Sequence, residues 1–194
     1  MLSAQRDEME DMSEMEEFFQ DQVSLSTTSG VHVPFTEEQS ESWLWHSVRR
    51  MRITGSTFKD FAGNPEKMAA AQWSEKKDLS VLKAIIWGKE KESEARSAYE
   101  KKTGKKVTCC GIFISRERPL FAASPDGIVE EPTGNVLIEI KCPYSLRDND
   151  LKDPKKVSNY FLDSNLCLKR SHQYFYQIQL GMYVTGCRST HFIV

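Results

Sequence analysis

The chain has 194 residues, 39% of them hydrophobic and 28% charged, with a net charge of −2. That length can bury a sizeable core, and the composition is that of a globular domain, not of a fibrous or wholly disordered chain. No apolar run approaches the roughly 20 residues that span a bilayer, and the acidic N-terminus carries no signal-peptide pattern, so an intracellular protein, nuclear or cytoplasmic and not secreted, is expected.

The charge is unevenly placed. Residues 1–30 hold eight acids against one base, net −7, which leaves 20 acids against 25 bases, net +5, in the remainder. A mildly basic body behind an acidic tail suits a protein that meets a polyanion, although an ordinary solvated surface gives the same balance. The five cysteines (Cys109, Cys110, Cys142, Cys167 and Cys187) are odd in number and include no C-x-x-C pair. Reduced thiols are expected, without a disulfide framework, zinc ribbon or iron–sulfur cluster.

In chain order, residues 1–34 are rich in acid, Ser, Thr and Met and lack a sustained apolar face. They are expected to form an acidic tail, disordered or weakly helical, with Pro34 as the boundary of a domain over 35–194. Thr36 and Gln39 spell a capping box and predict a helix through about Met51, with Trp43, Leu44, Ser47 and Val48 on one face. Thr54-Gly55-Ser56 breaks it, and a short helix follows around Thr57 to Phe61.

A longer helical pattern runs from about Leu79 to Lys102, with Leu82, Ile85, Ile86, Ala95, Ala98 and Tyr99 as its apolar positions. Gly88 interrupts it, which predicts one kinked helix or two. Gly104 stands where a terminating glycine belongs. Val107 to Ser115, Leu120 to Ala123, Gly127 to Glu130 and Val136 to Lys141 then read as strands, the last two joined by the turn Pro132–Asn135. A polar loop follows to about Asn165. Ser171 to Val184 predicts a helix, with Tyr174, Ile178 and Met182 as a core stripe, and Thr190 to Val194 begins a strand. The order predicts an α/β (α+β) domain around one central sheet.

The chemistry concentrates in Val136-Leu137-Ile138-Glu139-Ile140-Lys141. Alternation puts Val136, Ile138 and Ile140 on one face and Leu137, Glu139 and Lys141 on the other. A carboxylate and an ammonium thus project from the end of an apolar strand, where burial is costly unless they are paired or bind an ion. Taken alone, a surface Glu and Lys on a half-exposed strand is the commoner arrangement. Ser124-Pro125-Asp126-Gly127 lies one hairpin earlier, and antiparallel pairing can bring Asp126 beside Glu139. Two carboxylates in one site repel, which favours a hard divalent cation between them. Mg²⁺ held by Asp126, Glu139 and the Ile140 carbonyl, with Lys141 alongside, is the inventory that phosphodiester hydrolysis requires.

Asp126…Glu139-Ile140-Lys141 matches the PD-(D/E)xK nuclease pattern. Together with the strings WGKEKESEARSAYE, SPDGIV, LIEIKCP and YFYQIQLGMYVTG, it resembles the YqaJ viral recombinase family, that of bacteriophage lambda exonuclease, from about Trp45 to the end. The resemblance implies a restriction-endonuclease-like core, a central mixed sheet flanked by helices. It implies that Glu92, anchored by Gly88 and Ala95-Arg96, serves a second metal position; the residues alone do not separate it from Glu90 and Glu94. It implies that Arg49 and Ser56 bind phosphate near a DNA 5′ end, with Arg50 and Arg52 as neighbours of the same type. It implies a glutamine at the active site, Gln177 in preference to Gln179. Carboxylates supply the metal site, so His172 is not expected to be a ligand.

The implied activity is a Mg²⁺-dependent deoxyribonuclease (Mn²⁺ substituting), a 5′-to-3′ exonuclease on the ends of linear double-stranded DNA, with a role in recombination or repair and a ring trimer as homo-oligomer. Two alternatives stand beside it: a DNA-binding or assembly module without turnover, which the intact Asp126, Glu139 and Lys141 disfavour, and an endonuclease of the same superfamily. Two features depart from the family. The acidic residues 1–30 are no part of its pattern. The chain also stops at Val194, inside a strand where the family continues, as a domain fragment with an unpaired last strand would.

Overall fold

The computed structural model describes residues 29–64, 66, 83–148 and 160–194. In chain order the elements are β1 (Gly30–Val33), α1 (Trp43–Arg50), α2 (Gly55–Gly63), α3 (Lys83–Thr103), β2 (Ile112–Ser115), β3 (Ala122–Ala123), β4 (Gly127–Val129), β5 (Val136–Ile140), α4 (Gln173–Thr185) and β6 (Ser189–Ile193). Single 3-10 turns stand at Gln39–Glu41 and Tyr144–Leu146.

All five residues of β5 are buried. The strand pairs antiparallel with β4 and parallel with β6, which makes this sheet mixed. Ile138 and Ile140 join Val107 and Val129 on one face and pack against Ala95 and Tyr99 of α3. Leu137 turns to the other face, onto Leu180 and Val184 of α4. Helices therefore cover both faces, and that is why the strand reads as a nearly continuous apolar run. Each such side chain contributes roughly 1.5–3 kcal/mol on burial. Glu139 is the polar exception, 5% exposed, on the α4 face.

One central sheet was expected, but among the described residues the strands form two sheets of three, β1-β2-β3 and β4-β5-β6. The expected strand Val107 to Ser115 is interrupted. Thr108 makes an isolated bridge to Ile128, and regular pairing resumes only at Ile112. Side chains from the segment before α1 occupy the break. Gln39 Nε2 donates to the carbonyls of Cys110 and Pro125 at 3.1 and 2.9 Å. The Ile112 N–H donates to Thr36 Oγ1 at 2.9 Å. Gly111 lies so close to Thr36 that a Cβ there would collide with it.

These contacts also correct the expected helix start. Thr36 is wholly buried between strands, and Gln39 is a strap across the break. The helix begins at Trp43, and Ser42 caps it by accepting from the Trp45 N–H at 3.3 Å. The tail boundary expected at Pro34 moves as well. Gly30–Val33 is a strand registered on β2 from Gly30↔Ser115 to Val33↔Ile112. Gly30 packs against the Val184 carbonyl, too close for any side chain. Residues 1–28, the expected helix start at Leu79 to Leu82, and 149–159 of the polar loop lie outside the described residues.

Gly88 leaves α3 continuous from Lys83 to Thr103. Gly104 follows with φ of 70°, and its N–H donates to the Glu100 carbonyl at 2.8 Å, as expected of a terminating glycine. The last strand is paired: β6 runs beside β5 from Val136↔Ser189 to Ile140↔Ile193. All five cysteines are free. Among the described residues, no helix is long and apolar enough to cross a membrane.

Candidate active site

The β4–β5 register sets the first two groups side by side. Gly127 pairs with Ile138, and the Asp126 N–H donates to the Ile138 carbonyl at 3.1 Å. The Asp126 carboxylate turns onto the end of β5, where Oδ2 accepts from the Ile140 N–H at 2.6 Å. The bend before it is pinned twice, by Gln39 on the Pro125 carbonyl and by Trp45 Nε1 donating to Ser124 Oγ at 2.8 Å. Glu139 Oε1 accepts from Lys141 Nζ and from Gln177 Nε2, the latter at 2.5 Å. The Lys141 ammonium lies 5.2 Å from the centre of the Tyr174 ring.

Gln177 reaches Glu139 because α4 crosses α2 at a glycine. A Cβ on Gly55 would stand 2.6 Å from Gln177 Cγ. Gln179 is exposed and faces away. On α3, Glu92 is half-buried and accepts from Arg96 Nη2 at 2.7 Å, one turn on. Glu90 and Glu94 are exposed, and Glu94 pairs with Lys91 at 2.6 Å. The structure thus separates the three acids that the residues alone left open.

The carboxylates disturb one another. Burial pushes the Glu139 carboxyl up to about 7; Lys141 opposes this, while Asp126 and Glu92 add to it. Burial also raises Asp126, against the pull of Lys141 and the Ile140 N–H. Glu92 is raised by burial and then by Asp126. For Lys141, burial works to lower the pKa, but Glu139 and Asp126 outweigh it and the net shift is upward. Lys141 is therefore an ammonium at neutral pH.

Arg49 Nη2 donates to Ser56 Oγ at 3.1 Å, and its guanidinium lies 4.2 Å from the centre of the Trp45 ring. Burial pushes Arg49 down to about 10, still charged at neutral pH. Arg52 instead braces the carbonyls of Val48 and Pro119, both at 3.0 Å, and Arg50 is exposed. Arg49, Ser56, Glu139 and Gln177 line one cavity. Glu92, Ile140, Lys141 and Tyr174 line a larger cleft of about 790 Å³. The Glu139–Lys141 pair stands between the two openings.

The profile of the YqaJ-like viral recombinase domain matches residues 44–188, which include all of these side chains except the supporting Gln39. The chain belongs to this family. It is 34% identical over 128 residues to the alkaline nuclease of Autographa californica nuclear polyhedrosis virus, a match covering 60% of this chain and 28% of that protein. The chain therefore spans little more than a quarter of that relative's length. Among solved structures it is similar to the alkaline exonuclease LHK-Exo from Laribacter hongkongensis, with a TM-score of 0.56 and 27% identity over 77% of this chain and 71% of that one. The structure of LHK-Exo in complex with dAMP matches with a TM-score of 0.51 and 25% identity, over 75% and 70% of the two chains. The likeness bears out the mixed α/β, restriction-endonuclease-like architecture expected from the resemblance.

The donor set of this YqaJ-like chain fits a hard divalent cation. Its acids are buried together at a cost that positive charge would offset, and every donor is oxygen. Among the described residues, no three carboxylate, imidazole or thiol groups form a ready-made cage. That suits Mg²⁺, which keeps several waters and uses only one or two carboxylates. Three contributors escaped the sequence: Gln39 and Trp45 as supports, and Tyr174, expected as core stripe; Arg96 was named only as a motif anchor. Their partners are remote in the chain or depend on how helices face, and only the Glu92–Arg96 spacing of four carried a local signal. His172 caps α4, its Nδ1 accepting from the Tyr174 N–H at 3.2 Å.

Proposed function

We propose that this YqaJ-like chain is a Mg²⁺-dependent deoxyribonuclease that hydrolyses phosphodiester bonds of DNA, acting 5′ to 3′ from the ends of linear double-stranded DNA in recombination or repair. The observation that carries it is the Asp126–Glu139–Lys141 cluster, with Glu92 in electrostatic reach, directly beside a guanidinium–hydroxyl pocket that shares Glu139 and Gln177 with it. Asp126, Glu139 and the Ile140 carbonyl would hold the ion, and Glu92 would serve a second metal position. Mg²⁺, or Mn²⁺ in its place, supplies Lewis acidity that polarises a phosphoryl oxygen and acidifies water.

The chain's own groups do the rest. Lys141, locked to Glu139, orients the attacking water and offsets charge growing on the phosphoryl oxygens. Gln177 fixes the Glu139 rotamer. Arg49 and Ser56 grip the terminal 5′ phosphate, and a guanidinium suits that task because its planar fork matches phosphate oxygens. Holding that phosphate sets the next linkage over the carboxylates. A ring of three copies is part of the same proposal.

The test is digestion of 5′-phosphorylated linear, 5′-hydroxyl linear and closed circular duplexes with Mg²⁺, Ca²⁺ or chelator. The phosphorylated linear duplex should be degraded fastest and the circle spared, with Ca²⁺ supporting binding but little cutting. Equal cutting of the circle would make the chain an endonuclease. Binding without cutting under every metal would make it a module without turnover.

A further inference from the structure

α4 presents two side chains, one turn apart, to the Glu139–Lys141 pair. Gln177 holds the carboxylate end. Tyr174, three residues earlier and on the same helix face, stands against the ammonium end, its ring centre 5.2 Å from Lys141 Nζ. The ring cannot turn away freely. His172 lies 4.5 Å from it, Phe161 5.3 Å and Phe192 6.1 Å, centre to centre. Phe192 is the β6 partner of Glu139 in the sheet register, so the wall behind Tyr174 is built on the strand next to the site. Tyr174 also lines the large cleft together with Glu92, Ile140 and Lys141.

From this placement we infer that Tyr174 is a positioning residue for Lys141: its ring face holds the ammonium in line with Glu139. A Lys ammonium is a compact charge on a flexible four-carbon stem, and Glu139 alone fixes only one direction of it. A π face on a second side fixes the other, and the attraction strengthens where water is excluded, as it is around a lysine side chain only 19% exposed. The kinetic part of this inference rests on the nuclease proposal; the geometric part does not.

Two measurements on the full chain test it. In NMR spectra of protein labelled with ¹³C-lysine, the ring current of Tyr174 should displace the Lys141 Hε and Cε signals upfield of the other lysines, with the Lys141→Met variant giving the assignment. The displacement should persist in Tyr174→Phe and vanish in Tyr174→Leu. An undisplaced Lys141 in the unaltered protein overturns the inference whether or not the protein cuts DNA. In digestion assays, Tyr174→Phe should keep kcat, whereas Tyr174→Leu should lose about tenfold in kcat with KM little changed. An equal loss in Tyr174→Phe, or a loss that tracks the thermal midpoint, would make Tyr174 a core residue only. Failure of the unaltered protein to cut would count against the nuclease proposal and leave the NMR result to decide the geometry.

Discussion

Asp126, Glu139 and Lys141 sit on two adjacent strands, tied by backbone bonds such as Asp126 N–H to the Ile138 carbonyl. Arg49, Ser56, Glu92 and Gln177 arrive from four different helices and reach the site mainly through side-chain contacts. The single β4–β5 hairpin with its flanks, Asp126 to Lys141, positions the first group. Contacts distant in the chain position the second, such as Gly55 under Gln177, and Trp45 on Ser124 ties the two groups together. Changes in the strand group should therefore strike chemistry with little loss of fold. Changes in the helix group should mix substrate grip with stability.

The largest effect is expected at Glu139. Glu139→Gln keeps the shape of the side chain but removes a charge from the proposed ion site, so cleavage should fall by about 10³-fold or more while duplex binding survives. The fold should lose little, because removal of a carboxylate that burial disfavours is set against the loss of a partner for Lys141, whose ammonium Asp126 still faces. A large drop in thermal midpoint would show that the strand group is as dependent on packing as the helix group.

Arg49→Ala comes next. A charge-assisted hydrogen bond contributes about 1.5–3 kcal/mol, so kcat/KM on 5′-phosphorylated ends should fall roughly 10- to 100-fold. Digestion of 5′-hydroxyl ends should hardly change. An equal loss on both kinds of end would place Arg49 outside the phosphate pocket.

A pH effect of intermediate size follows from Glu139. Its folded-state pKa, pushed up to about 7 by burial, lies above the unfolded value of 4.5. The folded state therefore binds the proton more tightly, and that stabilisation is present below about pH 4.5 and is lost as pH rises towards 7. Bound Mg²⁺ would offset the loss and would need the deprotonated carboxylate. The gap in thermal midpoint between Mg²⁺ and chelator should widen from about pH 5.5 to about pH 8, and Glu139→Gln should flatten it. A gap independent of pH would contradict this electrostatic account.

The smallest effect belongs to Gly55→Ala. Its methyl group would meet Gln177 Cγ at 2.6 Å and Cα at 3.2 Å, so α2 and α4 must part slightly, at a cost of about 1–3 kcal/mol in denaturant unfolding. Cleavage should fall only as far as Gln177 loses Glu139. Unchanged stability would mean that the helix group is less tightly coupled than its contacts suggest.

The same contrast explains what was legible in the sequence. Val136 to Lys141 announced itself through apolar density, a strict two-residue period and a charged end, and the structure keeps all three. The turn at Ser124–Gly127 was equally local. The split of the sheet was not legible, because it depends on Gln39 and Thr36 reaching strand segments more than 70 residues away. Thr36 and Ser42 both look like helix caps; the burial of Thr36 under β2 leaves Ser42 as the cap. The strand Gly30–Val33 was too short, and too close to an acidic run, to stand out. Glu92 could be told from Glu90 and Glu94 only through the family motif, since all three share one helix and only tertiary packing turns Glu92 inward. Tyr174 fell in an apolar stripe and was expected as core because periodicity cannot show that a lysine from a neighbouring strand stands over its ring.

The most direct test of the central claim is release of nucleotides from a uniformly labelled linear duplex by the unaltered chain and by Lys141→Met, each with Mg²⁺ and with chelator. Release is expected only from the unaltered chain and only with Mg²⁺, while both proteins still bind the duplex. Release that persists in chelator, or an unimpaired Lys141→Met, would contradict the claim.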